Sequence, residues 1–314
     1  MSEKIVVAFG GNAILKSSER GTAEEQRANV RQACLAAAAL VRAGNQVVIT
    51  HGNGPQVGAV LLQNELAADS VPVMPLDMCG AATQGQIGYM IQQALGNILR
   101  ESGEPRSIAS VVTQVLVSAD DPAFASPTKP IGSYYPEDQA RSLMEDKGWK
   151  MVEDKARGGF RRVVPSPMPV QIVERDAISA LLAAGYLVIA SGGGGIPVVQ
   201  RDGSLVGVEA VIDKDLAGER LALDVAADTL MILTDVPQVA LHFNTPEQVN
   251  LGRITLAEAR TYAAQGHFKA GSMGPKMAAA IKFLENGGRR SIITALDLAL
   301  DALEGNAGTI ITVE

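Results

Sequence analysis

Aromatic residues are scarce: they make up 4 % of the 314 residues, with a single tryptophan. That scarcity removes the stacking platforms on which single-stranded nucleic acid is held. Positive charge is not in excess either. The formal net charge is −7, which argues against nucleic acid or an anionic membrane as partner. The two cysteines, Cys34 and Cys79, stand at no metal-ligand or redox spacing and read as reduced core thiols. The three histidines, His51, His242 and His267, are far apart and match no HExxH-type zinc pattern. No apolar run approaches the roughly 18 residues of a membrane span, and "MSEKIVVAFGG" has too short an apolar part for a signal peptide. What these absences leave is a soluble cytoplasmic protein, whose 47 % hydrophobic content supports a sizeable core.

What is present is a rhythm. Short β-branched runs recur at 4–9, 46–50, 110–117, 186–191, 229–234, 291–296 and 309–313. Between most of them lie stretches of helical period closed by glycine, such as 23–44 and 82–103. Continuous apolar strands alternating with helices predict an α/β fold with a mainly parallel sheet covered on both faces. One segment breaks the rhythm. Seven of the fifteen prolines lie between Pro122 and Pro169. The stretch from about 120 to 170 reads as an excursion, a small subdomain or lid over one edge, because long ordered loops on compact domains are usually functional.

Three strand ends carry glycine turns: "FGGNAIL" at 9–15, "THGNGPQVG" at 50–58 and "SGGGG" at 191–195. Ligands of open α/β sheets bind beyond the carboxyl ends of the strands. Glycine lets backbone N–H groups approach a ligand there, and a following helix N-terminus favours an anion, usually phosphate. Known signatures fail, however. The first turn lacks the glycine that precedes the lysine of a P-loop, the second is not GxGxxG, and Thr50-His51 stands where a dinucleotide fold needs an acid. Any one turn is explained equally well by local structure; three together point to paired anion cradles.

Three lysines sit in unusual places. "GSMGPKM" puts Lys276 in the first turn of a helix, where a cation opposes the dipole by about 0.3–1 kcal/mol unless an anion is bound. "VIDKDLAG" puts Lys214 between Asp213 and Asp215, and "SPTKPIG" puts Lys129 in a proline-stiffened loop. Each taken alone is also compatible with an ordinary surface lysine. Together with the glycine turns they suit phosphoryl transfer, which asks mainly for positioning and charge neutralisation. A carboxylate acceptor needs no general base, so the lack of a histidine–carboxylate dyad is no objection.

"FGGNAIL", "THGNGPQVG", "PTKPIGSYY", "GFRRVVPSP", "SGGGGIPV", "AVIDKDLA", "ILTDV" and "GSMGPKM" together resemble the carbamate kinase family of the amino-acid kinase fold, over essentially the whole chain. The resemblance implies a single three-layer αβα sandwich over 1–314 with a protruding lid at about 120–170. It implies ATP- and Mg2+-dependent, reversible phosphorylation of carbamate to carbamoyl phosphate, no protein-held metal, and a homodimer. It assigns Gly10, Gly11, Asn12, Gly52, Asn53 and Gly54 to carbamate and the phosphoryl group. Lys129, Lys214, Asp215 and Lys276 are expected to be catalytic. The nucleotide is expected at Gly193, Gly194, Thr234, Asp235 and Met273 with Lys214 and Lys276, so that the part from about 185 to 314 carries the nucleotide site. The chain departs from the family around Lys155–Gly159, at Met168 and after Asp235. A paralogous small-carboxylate kinase of the same fold and a non-catalytic regulator that binds nucleotide or carbamoyl phosphate are the competing readings.

Overall fold

A computed structural model describes residues 2–16, 18–154, 158–269 and 272–314, the side chain of Asn12 excepted. The N-terminal part contains β1 (Lys4–Phe9), α1 (Ala23–Arg42), β2 (Gln46–His51), α2 (Gly54–Leu66), α3 (Leu76–Glu101), β3 (Ile108–Ser110) and β4 (Gln114–Val117). The middle contains β5 (Lys129–Tyr135), α4 (Glu137–Lys147), β6 (Lys150–Glu153), β7 (Phe160–Val164), β8 (Pro169–Ile172), α5 (Arg175–Ala183) and β9 (Leu187–Ile189). There follow β10 (Ile196–Arg201), β11 (Ser204–Gly207), α6 (Lys214–Asp224), β12 (Thr229–Thr234), β13 (Ala240–Leu241), β14 (Val249–Asn250) and β15 (Arg253–Thr255). The chain closes with α7 (Leu256–Ala264), α8 (Met273–Glu285), β16 (Arg290–Ala295), α9 (Ala299–Glu304) and β17 (Thr309–Thr312).

The main sheet has eight strands in the order β15-β17-β16-β12-β1-β2-β9-β3. Every junction is parallel except that between β16 and β17. The three layers follow from the strands' period of two. In β1, Ile5, Val7 and Phe9 enter a core shared with α1, α3 and α9, while Val6 and Ala8 enter a second core shared with α5, α6, α7 and α8. A strand apolar on both faces must be covered on both, as the apolar runs predicted. α1 starts at a capping box: the Thr22 side chain accepts from the N–H of Glu25, whose carboxylate accepts the N–H of Thr22 in return.

The β-branched run at 110–117, expected as one strand, is two. β3 ends the main sheet and β4 joins the four-stranded sheet β11-β10-β4-β8. The break is at Thr113. The side-chain amide of Gln84, on α3, accepts from its N–H (2.7 Å) and donates to its carbonyl (3.1 Å), which also accepts the N–H of Ile196 (2.9 Å). The proline-rich segment forms a three-stranded sheet, β5-β7-β6, with α4 beside it. Ile131 and Val164 of that sheet pack on Val57 of α2 and Leu76 of α3.

Gly194 shows how tightly the glycine loop after β9 is folded. Its φ is +95°, and a Cβ there would run into the carbonyl oxygen of Ile212. Gly194→Ala is expected to lower the unfolding free energy by about 1–3 kcal/mol, read as a fall in the urea midpoint at unchanged slope. An unchanged midpoint would show that the loop relaxes freely.

Candidate functional site

Parallel strands in register finish together: Phe9 pairs with His51 on one side and with Leu233 on the other. The loops leaving β1, β2 and β12 therefore open at one edge of the sheet, where ligands of such sheets bind. A cavity of about 770 Å³ lies there, lined by residues of these loops and of the first turns of α2, α6 and α8. Three helix N-termini thus face one cleft, each carrying about half a positive charge.

Its charged centre is built on Asp215. This carboxylate is 3 % exposed. Its Oδ1 accepts from Lys214 Nζ at 2.8 Å and its Oδ2 from Lys276 Nζ at 3.0 Å. Burial pushes the Asp215 pKa up, but the charges and hydrogen bonds of the two lysines outweigh it and hold the carboxyl below its ordinary value. Lys276 is displaced the other way. Burial first, and the nearby Lys214 second, lower its pKa. The centre is one anion shared by two cations, with net positive charge facing the cleft.

Asp213 does a separate job. It caps α6, its Oδ1 accepting the N–H of Asp215 at 2.9 Å, and its Oδ2 accepts from Lys129 Nζ at 2.7 Å. Lys129 opens β5 and belongs to the three-stranded sheet, so this ion pair ties that sheet to the body. Arg161, on β7, lines the cleft from the same sheet. Its guanidinium lies 5.0 Å from the centre of the Tyr134 ring and donates to the carbonyl of Gly132 at 3.1 Å. The next residue, Arg162, points to the opposite face and pairs with Glu209 at 2.6 Å.

Of the residues expected from sequence, Gly10, Gly11, Gly52, Asn53, Gly54, Lys129, Gly193, Lys214, Asp215, Thr234, Asp235 and Lys276 all line this cavity. Asn12 contributes backbone to the 3-10 turn Gly11–Ala13, and its side chain lies outside the described residues. Gly194 is buried beside the cleft against Ile212. Met273 packs on the core from the first turn of α8. Met168 is exposed and its N–H donates to Asp121 at 2.9 Å, away from the cleft. Lys155 lies outside the described residues.

Sequence reasoning missed Arg161, Ser272 and Pro275 as lining residues, and it took Asp213 only as a flanking acid. The cap had a readable signal, an aspartate directly before a helical stretch. Arg161 had none stronger than its place in an alternating strand. Among the described residues no group of three or more His, Cys, Asp or Glu is placed to hold a metal, and no helix is long and apolar enough to cross a membrane.

Known proteins match this chain along its length. The model of the amino acid kinase family matches residues 3–295. A carbamate kinase of Thermococcus kodakarensis is 52 % identical over 310 residues, 98 % of each chain. One of Trichomonas vaginalis is 46 % identical over 309 residues, again 98 % of each. Among solved structures, the carbamate kinase from Giardia lamblia bound to AMP-PNP superposes with a TM-score of 0.94 at 47 % identity, covering 99 % of this chain and 98 % of that one.

His51, at the end of β2, makes stability depend on pH. It is 1 % exposed, and burial lowers its pKa to about 4. The unfolded chain binds a proton at the ordinary value near 6.5, so between about pH 6.5 and 4 only the unfolded state is protonated at this position. Its contribution is therefore complete above pH 6.5 and lost as pH falls. Between pH 7 and 5 the wild type should lose about 2 kcal/mol more than His51→Asn, which has no group titrating there. Urea midpoints at the two pH values measure this; equal losses would show that His51 titrates normally in the folded protein.

Proposed function

The chain belongs to the carbamate kinases of the amino acid kinase family, and from that premise we infer that it transfers a phosphoryl group reversibly between ATP and carbamate, giving ADP and carbamoyl phosphate. The observation that carries this reading is the pair of lysines held on one buried carboxylate where three helices begin. A solvent-facing role explains neither the burial of Lys276 nor two cations placed against helix dipoles. A transferring phosphoryl group, spread with negative charge over three oxygens, explains both. Neither competing reading, the paralogous kinase or the non-catalytic regulator, has a feature of the cleft in its favour.

In the direction that makes ATP, a terminal phosphate oxygen of ADP attacks the phosphorus of carbamoyl phosphate. The bond from phosphorus to the carbamoyl oxygen breaks, and its electron pair stays on that oxygen as carbamate leaves. No proton has to move at the reacting atoms. Lys214 and Lys276 meet the charge on the phosphoryl oxygens, and Asp215 fixes their ammonium groups at 2.8 and 3.0 Å. Because the groups are already in place, little reorganisation accompanies the reaction. The loops at Gly10–Gly11 and Gly52–Gly54 hold the acceptor end. Thr234, Asp235, the glycine loop and the start of α8 hold the nucleotide. The sheet that carries Lys129 acts as a lid and brings positive charge to carbamoyl phosphate.

Mg2+ would come to this cleft with the nucleotide. Asp213 and Asp215 are both committed to lysines, and Mg2+ commonly rests on substrate phosphates with one or two carboxylates. When bound, it offsets phosphate charge. A cytoplasmic homodimer completes the reading. The main sheet ends at β3 with Tyr89 of α3 half exposed, an edge that a second copy can cover.

With Mg2+, ADP and carbamoyl phosphate, the protein should form ATP; folded protein that binds ADP but makes no ATP would overturn the reading. Lys276→Met should cut turnover at least about a hundredfold, the scale of losing one preorganised charge donor, and should weaken ADP binding. Lys129→Ala should raise the KM for carbamoyl phosphate and leave the calorimetric ADP affinity nearly unchanged. Equal loss of ADP affinity in both variants would contradict the division between acceptor side and nucleotide side.

A further inference from the structure

We propose that His51 is a positioning residue for the phosphoryl site: its Nδ1–H holds the carbonyl of Gly52 and so turns the N–H of Asn53 into the cleft. The inference rests on the kinase reading above and adds a residue that does not line the cleft. His51 Nδ1 is 2.9 Å from the Gly52 oxygen. A carbonyl only accepts, so Nδ1 carries the proton, and in the neutral ring Nε2 carries none. The C=O of Gly52 and the N–H of Asn53 belong to one planar trans peptide and point in opposite directions. A carbonyl tied back to a buried ring therefore presents its N–H on the other side, where Gly52 and Asn53 line the cavity. Among the described residues, Asn53 N–H has no acceptor. Its side chain is fixed separately, donating to Thr83 Oγ1 at 2.8 Å.

The ring itself has no freedom to leave this position. Its Nε2 is buried without a hydrogen-bond partner among the described residues. It lies against Gly192, where a Cβ would run into the ring. One residue earlier, Thr50 Oγ1 donates to the carbonyl of Ser191 at 2.9 Å. The end of β2 thus braces two glycine loops at once, its own and the one after β9. A residue serving packing alone needs no Nδ1 donor, and leaving Nε2 unpaired in the interior is unfavourable. The ring cannot act as acid or base on substrate, because it is buried behind the loop and does not line the cavity.

Asparagine shares the γ carbon of histidine and carries an N–H donor at the δ position; glutamine carries its donor at ε, and leucine has none. The test is ATP formation by the full chain as wild type, His51→Asn and His51→Leu, with carbamoyl phosphate and ADP varied separately. His51→Leu should lose roughly tenfold to a hundredfold in turnover, as for a misplaced oxyanion donor, with the KM for ADP within about twofold. His51→Asn should recover to within about threefold of wild type. If His51→Leu fails to fold, His51→Gln replaces it in the same comparison. Wild-type turnover in the donor-less variant, or His51→Asn as slow as that variant, overturns the proposal. An inactive wild type overturns the kinase reading as well.

Discussion

The carboxylate of Asp215, shared between Lys214 and Lys276, is the interaction on which the site depends. Without it two ammonium groups would face each other in a cleft already made positive by three helix N-termini. Burial alone would push the Asp215 carboxyl towards its neutral form, yet the two lysines hold it ionised. The arrangement is incomplete without a ligand, since one negative charge answers two positive ones. In the proposed transfer, the surplus of positive charge attracts the phosphoryl oxygens.

The sheet supplies the placement. β1, β2 and β12 are parallel neighbours in register, so their loops open side by side and the helices after them start at the same edge. The loops are not independent cradles. The side chain of Asn53 stands where a Cβ at Gly193 would be, and Ile212 closes on Gly194 just before the Asp213 cap. Each loop is held in shape by the next, and the proposed phosphoryl transfer requires such preorganisation. The three-stranded sheet reaches the cleft through the ion pair of Lys129 with Asp213, the residue that also caps α6. The carboxylate that meets Lys129 and the one that holds the lysine pair are thereby two residues apart on one turn.

Much of this was legible in the sequence, and the reasons differ from place to place. The strands at Lys4–Phe9 and Thr229–Thr234 were readable because burial on both faces leaves an unbroken apolar run. Lys276 was readable because a cation in a first helical turn is out of place locally and needs a tertiary reason, and Lys214 because it stands between two acids. The break at Thr113 was not readable. Gln84, 29 residues earlier, takes the N–H of Thr113 with its side-chain amide, and Ile196, far later, shares its carbonyl. Arg161 was hidden for a similar reason: alternation sends it and Arg162 to opposite faces, but only the packed three-stranded sheet shows which face meets the cleft. The tie from Lys129 to Asp213 spans 84 residues, and no local pattern encodes such a contact.

As proposed, the lysine pair on Asp215 binds an anion. The most direct measurement is the unfolding free energy as a function of added inorganic sulfate at constant ionic strength, for wild type and for the double variant Lys214→Met/Lys276→Met. Sulfate stands in for the phosphoryl group. An anion that binds only the folded protein stabilises it by RT ln(1 + [L]/Kd), about 2.7 kcal/mol at a hundred times Kd. The wild type should show such a rise and the double variant a flat line. The same rise in both proteins would contradict anion binding by the lysine pair.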